Sequence, residues 1–134
     1  MTTRVHYFAT YGRAEPIRML LAHAKIEFMN VNYTKETLLA AKASGNLEFG
    51  QAPVLEVNGK YYCQSNAILR LLGAQHGYYS EDPYTGWEID SIIDSVGDIT
   101  DAYLKAVFNG PQLEREALSN TFYEATYPKW VDAV

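Results

Sequence analysis

The 134-residue chain holds a single cysteine, Cys63, so it can form neither an internal disulfide nor a CxxC redox pair. Its three histidines, His6, His23 and His76, stand at no spacing that joins Cys63 in a metal site. Positive charge is scarce as well. Eleven Lys and Arg against sixteen Asp and Glu leave a net charge of −5, and no basic run is present to track a nucleic-acid backbone. An anionic ligand must therefore be met by a few placed cations. No apolar stretch approaches the roughly 18 residues of a membrane span, and Met1-Thr2-Thr3-Arg4 opens no signal-peptide hydrophobic region. These absences set aside disulfide scaffolds, zinc modules, dithiol redox chemistry, nucleic-acid binding and membrane insertion, and the expectation is a cytoplasmic chain. What is present is 48% hydrophobic residues, enough at this length to bury a core.

Hydrophobic patterning divides the chain. Arg4 to Phe8 is β-branched and aromatic and reads as a strand, ended by the loop Ala9-Thr10-Tyr11-Gly12. Pro16 suits the opening turn of a helix that carries Ile17, Leu20, Leu21 and Ala24 at i, i+3, i+4 and i+7. Phe28 to Tyr33 reads as a second strand, which makes a βαβ unit with a right-handed crossover. Lys35 to Ala43 reads as a further helix. Asn58-Gly59 between Val54–Val57 and Lys60–Cys63 predicts an antiparallel hairpin, because a type I′ turn needs positive φ at both central residues. Ser65 is placed to cap a helix through Ala67, Ile68, Leu71 and Leu72 that ends at Gly77.

Gly77 to Gly86 holds two glycines, a proline and two acids, and residues 78–86 read as a linker. Apolar residues from Ile89 to Val107 then hold helical spacing across 87–108, and Asn109-Gly110-Pro111 breaks it. Leu113 to Val134 begins another helix, which Pro128 should kink. The chain stops in helical pattern at Trp130-Val131-Asp132-Ala133-Val134, and reads as cut short within its helical part.

Three separated motifs occur in order: Tyr7-Phe8 with Gly12-Arg13-Ala14-Glu15-Pro16-Ile17-Arg18, then Phe49-Gly50-Gln51-Ala52-Pro53-Val54-Leu55, then Gln64-Ser65-Asn66-Ala67-Ile68-Leu69-Arg70. In these the chain resembles the cytosolic glutathione transferases, between their sigma and pi classes. The resemblance implies an α/β thioredoxin-like glutathione-binding domain (βαβαββα) over residues 1–77. After the linker, residues 87–134 would be the start of an all-α C-terminal domain. The implied reaction is a detoxifying conjugation of glutathione, as co-substrate, to a small hydrophobic electrophile, without a metal, in a homodimer.

That chemistry needs a thiolate, and a thiol of pKa about 8.5 is only a few per cent ionised at neutral pH. Lowering the pKa by roughly two units is worth about 2.7 kcal/mol, within reach of one hydrogen bond to the anion beside a helix N-terminus. A phenol with a pKa near 10 stays protonated and can donate that bond. Tyr7, at the end of the first strand, matches the family's catalytic tyrosine. Tyr11 in the following loop is its local rival, and a packed strand aromatic is the other reading of Tyr7.

Glutathione carries two carboxylates and one ammonium. By resemblance, Gln64 and Ser65 hold the γ-glutamyl carboxylate, with Arg13 and Phe8 nearby; a helix N-terminus at Ser65 suits an anion. Lys42 and Gln51 match residues that grip the glycyl carboxylate, although Leu38 stands where the family commonly has a tryptophan, and a solvated lysine is the other reading of Lys42. Ala52-Pro53 resembles the family's cis-proline turn, whose backbone pairs with the cysteinyl unit. Asp98 matches an acid that reaches the γ-glutamyl ammonium from the partner subunit. Phe49 matches an aromatic key inserted into the partner near Ile92 and Ser95, or else is a core aromatic. Phe8, Thr10, Tyr103 and Phe108 are candidates to line the electrophile pocket, or to form interdomain core. Cys63 reads as a small half-buried residue and not as a nucleophile. The competing reading is a non-catalytic glutathione-binding or structural relative of the same fold. An isomerase of the prostaglandin-synthase kind would use the same thiolate.

Overall fold

The computed structural model describes residues 2–134, which form two compact units divided between Ser80 and Glu81. The first unit runs β1 (Thr3–Tyr7), a 3-10 turn (Gly12–Ala14), α1 (Glu15–His23), β2 (Met29–Asn32), α2 (Lys35–Ala43), β3 (Val54–Val57), β4 (Lys60–Cys63) and α3 (Ser65–His76). The strands lie in the order β2-β1-β3-β4. β1 is parallel to β2, as the βαβ reading requires, and antiparallel to β3. β3 and β4 form the expected hairpin, Val57 opposite Lys60, with Asn58 and Gly59 at φ 51° and 80°. This is the mixed sheet of a thioredoxin-like domain, followed by a helical region.

Strand alternation sorts the two faces of the sheet. Val5 and Leu55 face α1 and α3, where they close a buried cluster with Ile17, Leu21, Ile68 and Leu72, and Tyr7 packs against its margin. Arg4, His6 and Glu56 occupy the other face. Arg4 stands directly opposite Glu56 in register and donates to its Oε1 at 2.7 Å, while His6 Nε2 meets Oε2 at 2.8 Å. The His6 ring also lies against Tyr33 and Tyr61, at centroid distances of 5.8 and 5.9 Å. α2 is held differently: Thr34 and Thr37 form a reciprocal capping box at its start, and none of its residues is buried.

α3 departs from expectation at its start. Ser65 is the first helical residue and not its cap; the cap position is Gln64, at φ 71°, whose side chain makes no cap bond. The hairpin delivers the chain to α3 through this left-handed residue, which leaves Ser65 already inside the first turn. The helix ends as expected, with Gly77 left-handed at φ 79°.

The second unit holds α4 (Pro83–Leu104), a π turn (Lys105–Asn109), α5 (Arg115–Thr121), a second π turn (Phe122–Thr126) and α6 (Tyr127–Val131). Within the expected linker 78–86, α4 begins at Pro83 and takes in Gly86, because Asp82 caps it with a carboxylate accepting from Thr85 N at 2.8 Å and Thr85 Oγ1 at 2.9 Å. The 87–108 helix likewise ends at Leu104 and widens into the first π turn. Gly110 closes that turn. A Cβ there would overlap the Lys105 carbonyl oxygen and press on Leu118 Cδ1 at 2.9 Å. The final helix starts at Arg115, two residues after Leu113, and the feature expected at Pro128 takes the form of the π turn before it. Pro128 has no N–H to offer Glu124, and a widened turn accommodates that loss. Among the described residues, no helix is long and apolar enough to cross a membrane and no group of three or more His, Cys, Asp or Glu is placed to hold a metal.

Candidate functional site

β1 carries Tyr7 to the edge of the α1–α3 core, where the chain turns through loop 8–11 into the 3-10 turn that feeds α1. The Tyr7 hydroxyl oxygen accepts the backbone N–H of Arg13 at 3.3 Å. It thus lies at the positive end of α1, with its own proton left to donate, and an acceptor bond of this kind strengthens the donor side of a hydroxyl. The ring meets Phe8 edge-on at 5.4 Å. Tyr11, by contrast, is 76% exposed.

Two neighbours that sequence reasoning missed hold this arrangement. Gly12, at φ 46°, lies so close that a Cβ would come within 2.7 Å of the Tyr7 hydroxyl oxygen. Arg18, on α1, donates through Nη1 to the carbonyl oxygens of Thr10 at 2.9 Å and Tyr11 at 3.4 Å, and to Glu15 at 2.9 Å. Its Nε donates to Asn30 on β2 at 2.8 Å, and its guanidinium stands 6.0 Å from the centre of the Tyr7 ring. One side chain therefore ties the loop after β1 to both α1 and β2. Arg18→Met, which keeps the stem and removes these bonds, is expected to lower the unfolding free energy by about 1 kcal/mol, read as a shift of the urea midpoint. The sequence signal was the Glu15/Arg18 spacing of three beside a glycine loop, which by itself also describes a solvated ion pair.

The other predicted residues fall in several places. Gln64 stands exposed between β4 and α3, and Ser65 is half-buried in the first turn of α3. Gln64 at φ 71° is a strained conformation for a residue with a Cβ, and its side chain makes no cap bond to the helix behind it. Arg13 is half-buried beside Tyr7. Ala52–Pro53 is cis and immediately precedes β3, with Pro53 buried and Gln51 exposed. Lys42 lies exposed in the last turn of α2, and Phe49 is 58% exposed in the loop that follows. Phe8 and Thr10 are exposed on loop 8–11.

Asp98, Tyr103 and Phe108 belong to the second unit. Asp98 lines a groove of about 490 Å³ between α4 and α6, with Ile99, Ala102, Ala125, Lys129 and Trp130 among its walls. Tyr103 and Phe108 meet edge-on, with ring centroids 6.0 Å apart. Cys63 is half-buried at the end of β4, with its Sγ 4.0 Å from the Asn46 carbonyl oxygen.

Residues 3–73 match the family model described as the glutathione S-transferase N-terminal domain. Over 117 residues the chain is 35% identical to glutathione S-transferase alpha-4 of Rattus norvegicus, a match covering 87% of this chain and 53% of that protein. Glutathione S-transferase 2 of Manduca sexta is 37% identical over 123 residues, covering 92% and 59%. Among solved structures, prostaglandin synthase D of Nilaparvata lugens superposes with a TM-score of 0.86 at 30% identity, over 99% of this chain and 66% of that one. The chain thus spans little more than half the length of these curated relatives. With the family model covering more than half of its residues, the chain belongs to the glutathione S-transferase family.

Proposed function

We propose that the chain binds glutathione, ionises its thiol and conjugates the thiolate to small hydrophobic electrophiles, and that it acts as a homodimer. The observation that carries this reading is the Tyr7 hydroxyl, fixed as an acceptor of the Arg13 N–H at the head of α1 and so presenting its proton outward. A thiolate placed there receives the phenolic hydrogen bond and the favourable end of the helix dipole together. Its sulfur then attacks the electrophilic carbon directly, and the leaving group departs or the proton returns without a covalent enzyme intermediate.

The remaining roles follow the resemblance. Gln64 and Ser65, with the N-terminus of α3, receive the γ-glutamyl carboxylate, and Arg13 adds a cation. Gln51 and Lys42 grip the glycyl carboxylate, and the Ala52 backbone beside Pro53 pairs with the cysteinyl unit. Asp98 of one protomer serves the γ-glutamyl ammonium of its partner, and the exposure of Phe49 fits its use as a dimer key. Phe8, Thr10, Tyr103 and Phe108 receive the electrophile.

A titration of glutathione-thiolate absorbance in the presence of the chain tests the central step. Thiolate is expected to form near pH 6–7, about two units below free glutathione, and to be lost in Tyr7→Phe. Bound glutathione that ionises as it does in water would instead establish a binding module. The likeness to a prostaglandin synthase supports a second reading, isomerisation by the same thiolate, and product analysis with an endoperoxide substrate separates the two.

A further inference from the structure

We infer that Phe122 is a positioning residue that gives the electrophile surface a preference for planar aromatic substrates; the inference rests on the proposed transferase reading of Tyr103 and Phe108. Its basis is a spacing that an α-helix does not permit. Tyr103 and Phe108 are five residues apart, as are Phe122 and Tyr127. At 3.6 residues per turn such pairs stand about 140° apart around the axis and point away from each other. Both pairs nevertheless meet, at centroid distances of 6.0 Å and 5.9 Å.

The two π turns are the cause. One spans Lys105–Asn109 and the other Phe122–Thr126, and in the second the Tyr127 N–H reaches the Phe122 carbonyl oxygen. A bond from i to i+5 brings residues five apart onto one side of the helix. The pairs are then joined through Phe122, whose ring lies 5.6 Å from Tyr103 at 57°. The stack continues from Tyr127 to Trp130 at 6.3 Å, and Trp130 Nε1 donates to Ser95 Oγ at 3.2 Å, anchoring α6 to α4.

Burial grades along this stack. Phe122 is 6% exposed, whereas Phe108 is 58% exposed. The buried ring therefore fixes Tyr103, and Tyr103 fixes the open ring of Phe108, without Phe122 reaching the surface itself. An aromatic electrophile extends the series by an offset or edge-on contact, worth more than the area it covers, while an aliphatic one gains area alone.

The test compares a nitroaryl chloride with an alkyl iodide in the wild-type chain and in Phe122→Leu. For the aryl substrate KM is expected to rise about five- to tenfold with kcat nearly constant, while the alkyl substrate changes less than twofold and the thiolate titration is unmoved. Phe122→Tyr, which keeps the ring, should retain the preference. Phe108→Leu should reproduce the loss, and the double variant should be no worse than the worse single one. Equal losses for both substrates, or none for either, would overturn the inference. Should Phe122→Leu not fold, Phe122→Met carries the same comparison. If the wild-type chain turns over neither substrate, the transferase reading fails on its own, and the inference is decided by binding: unreactive dinitrobenzene should quench tryptophan fluorescence at a concentration five- to tenfold lower in wild type than in Phe122→Leu, and equal affinities would refute it.

Discussion

Alanine at position 12 is expected to lower kcat/KM for glutathione conjugation about 100-fold, as much as a 1 Å misplacement of a reacting group commonly costs, while leaving the chain folded. Two effects act at this residue. The backbone φ of 46° penalises any side chain, at about 1–2 kcal/mol, and the new methyl group would stand 2.7 Å from the Tyr7 hydroxyl oxygen. The Tyr7 ring carbons Cε1 and Cζ would also be met, at 3.0 and 3.3 Å, so the side chain must swing as a whole against its packing. Swinging it breaks the Arg13 N–H contact and moves the hydroxyl away from the position proposed for the thiolate. Stability should thus fall by the backbone term plus the cost of displacing the ring, and the thiolate titration should move toward that of free glutathione. A variant that melts early but retains full activity per folded molecule would show that Gly12 serves only the turn.

Glu56→Ala is expected to remove about 2–3 kcal/mol of stability, less than the 3–5 typical of breaking a fully buried pair. The carboxylate is 8% exposed and bonds both Arg4 and His6, so its loss strands two donors. Arg4 is 37% exposed and can turn to water, which limits the damage. Burial alone would raise the Glu56 carboxyl pKa, but the hydrogen bond from His6 and the charge and hydrogen bond of Arg4 outweigh it and hold it below the usual range. A depressed carboxyl contributes stability above its unfolded value of about 4.3, and that contribution is lost as pH falls through the folded value. Urea unfolding of wild type and variant should therefore differ most at neutral pH and converge below about pH 4. A difference that stayed constant into acid would assign the loss to packing instead.

Much of the first unit was legible because its signals are local. Asn58-Gly59 allows one cheap turn, and the helix over Lys35–Ala43 is closed by Ser44-Gly45-Asn46. Ser65 misled because capping preference takes no account of how the preceding strand arrives; here the hairpin enters through Gln64 at φ 71°, and the serine falls one position inside. Asp82-Pro83 did announce a helix, but Gly86 and Gly77 around it weighed toward a linker. The π turns were invisible to any reading based on a fixed period of 3.6, and with them the contact between Tyr103 and Phe108. At the site, Tyr7 and the cis Ala52–Pro53 bond follow from motifs. Gly12 and Arg18 stand in the first motif but without a legible role, because their importance lies in what a loop closes against, and a helix surface arginine has no periodic signature that distinguishes a clamp from a solvated charge.

The capping box at Thr34 has a consequence for the proposed glycyl-carboxylate site. A helix with no buried residue depends on its ends, so α2 should open locally at a free energy well below that of the sheet, and its amide hydrogens should exchange with solvent long before those of Val5 and Leu55. Lys42 rides on this helix. The grip on a glycyl carboxylate proposed for it would then be available only in the fraction of molecules whose helix is closed, and apparent affinity would be divided accordingly. Ligand and helix stabilise each other by linkage, and saturating glutathione should slow exchange in residues 35–43 more than anywhere in the core.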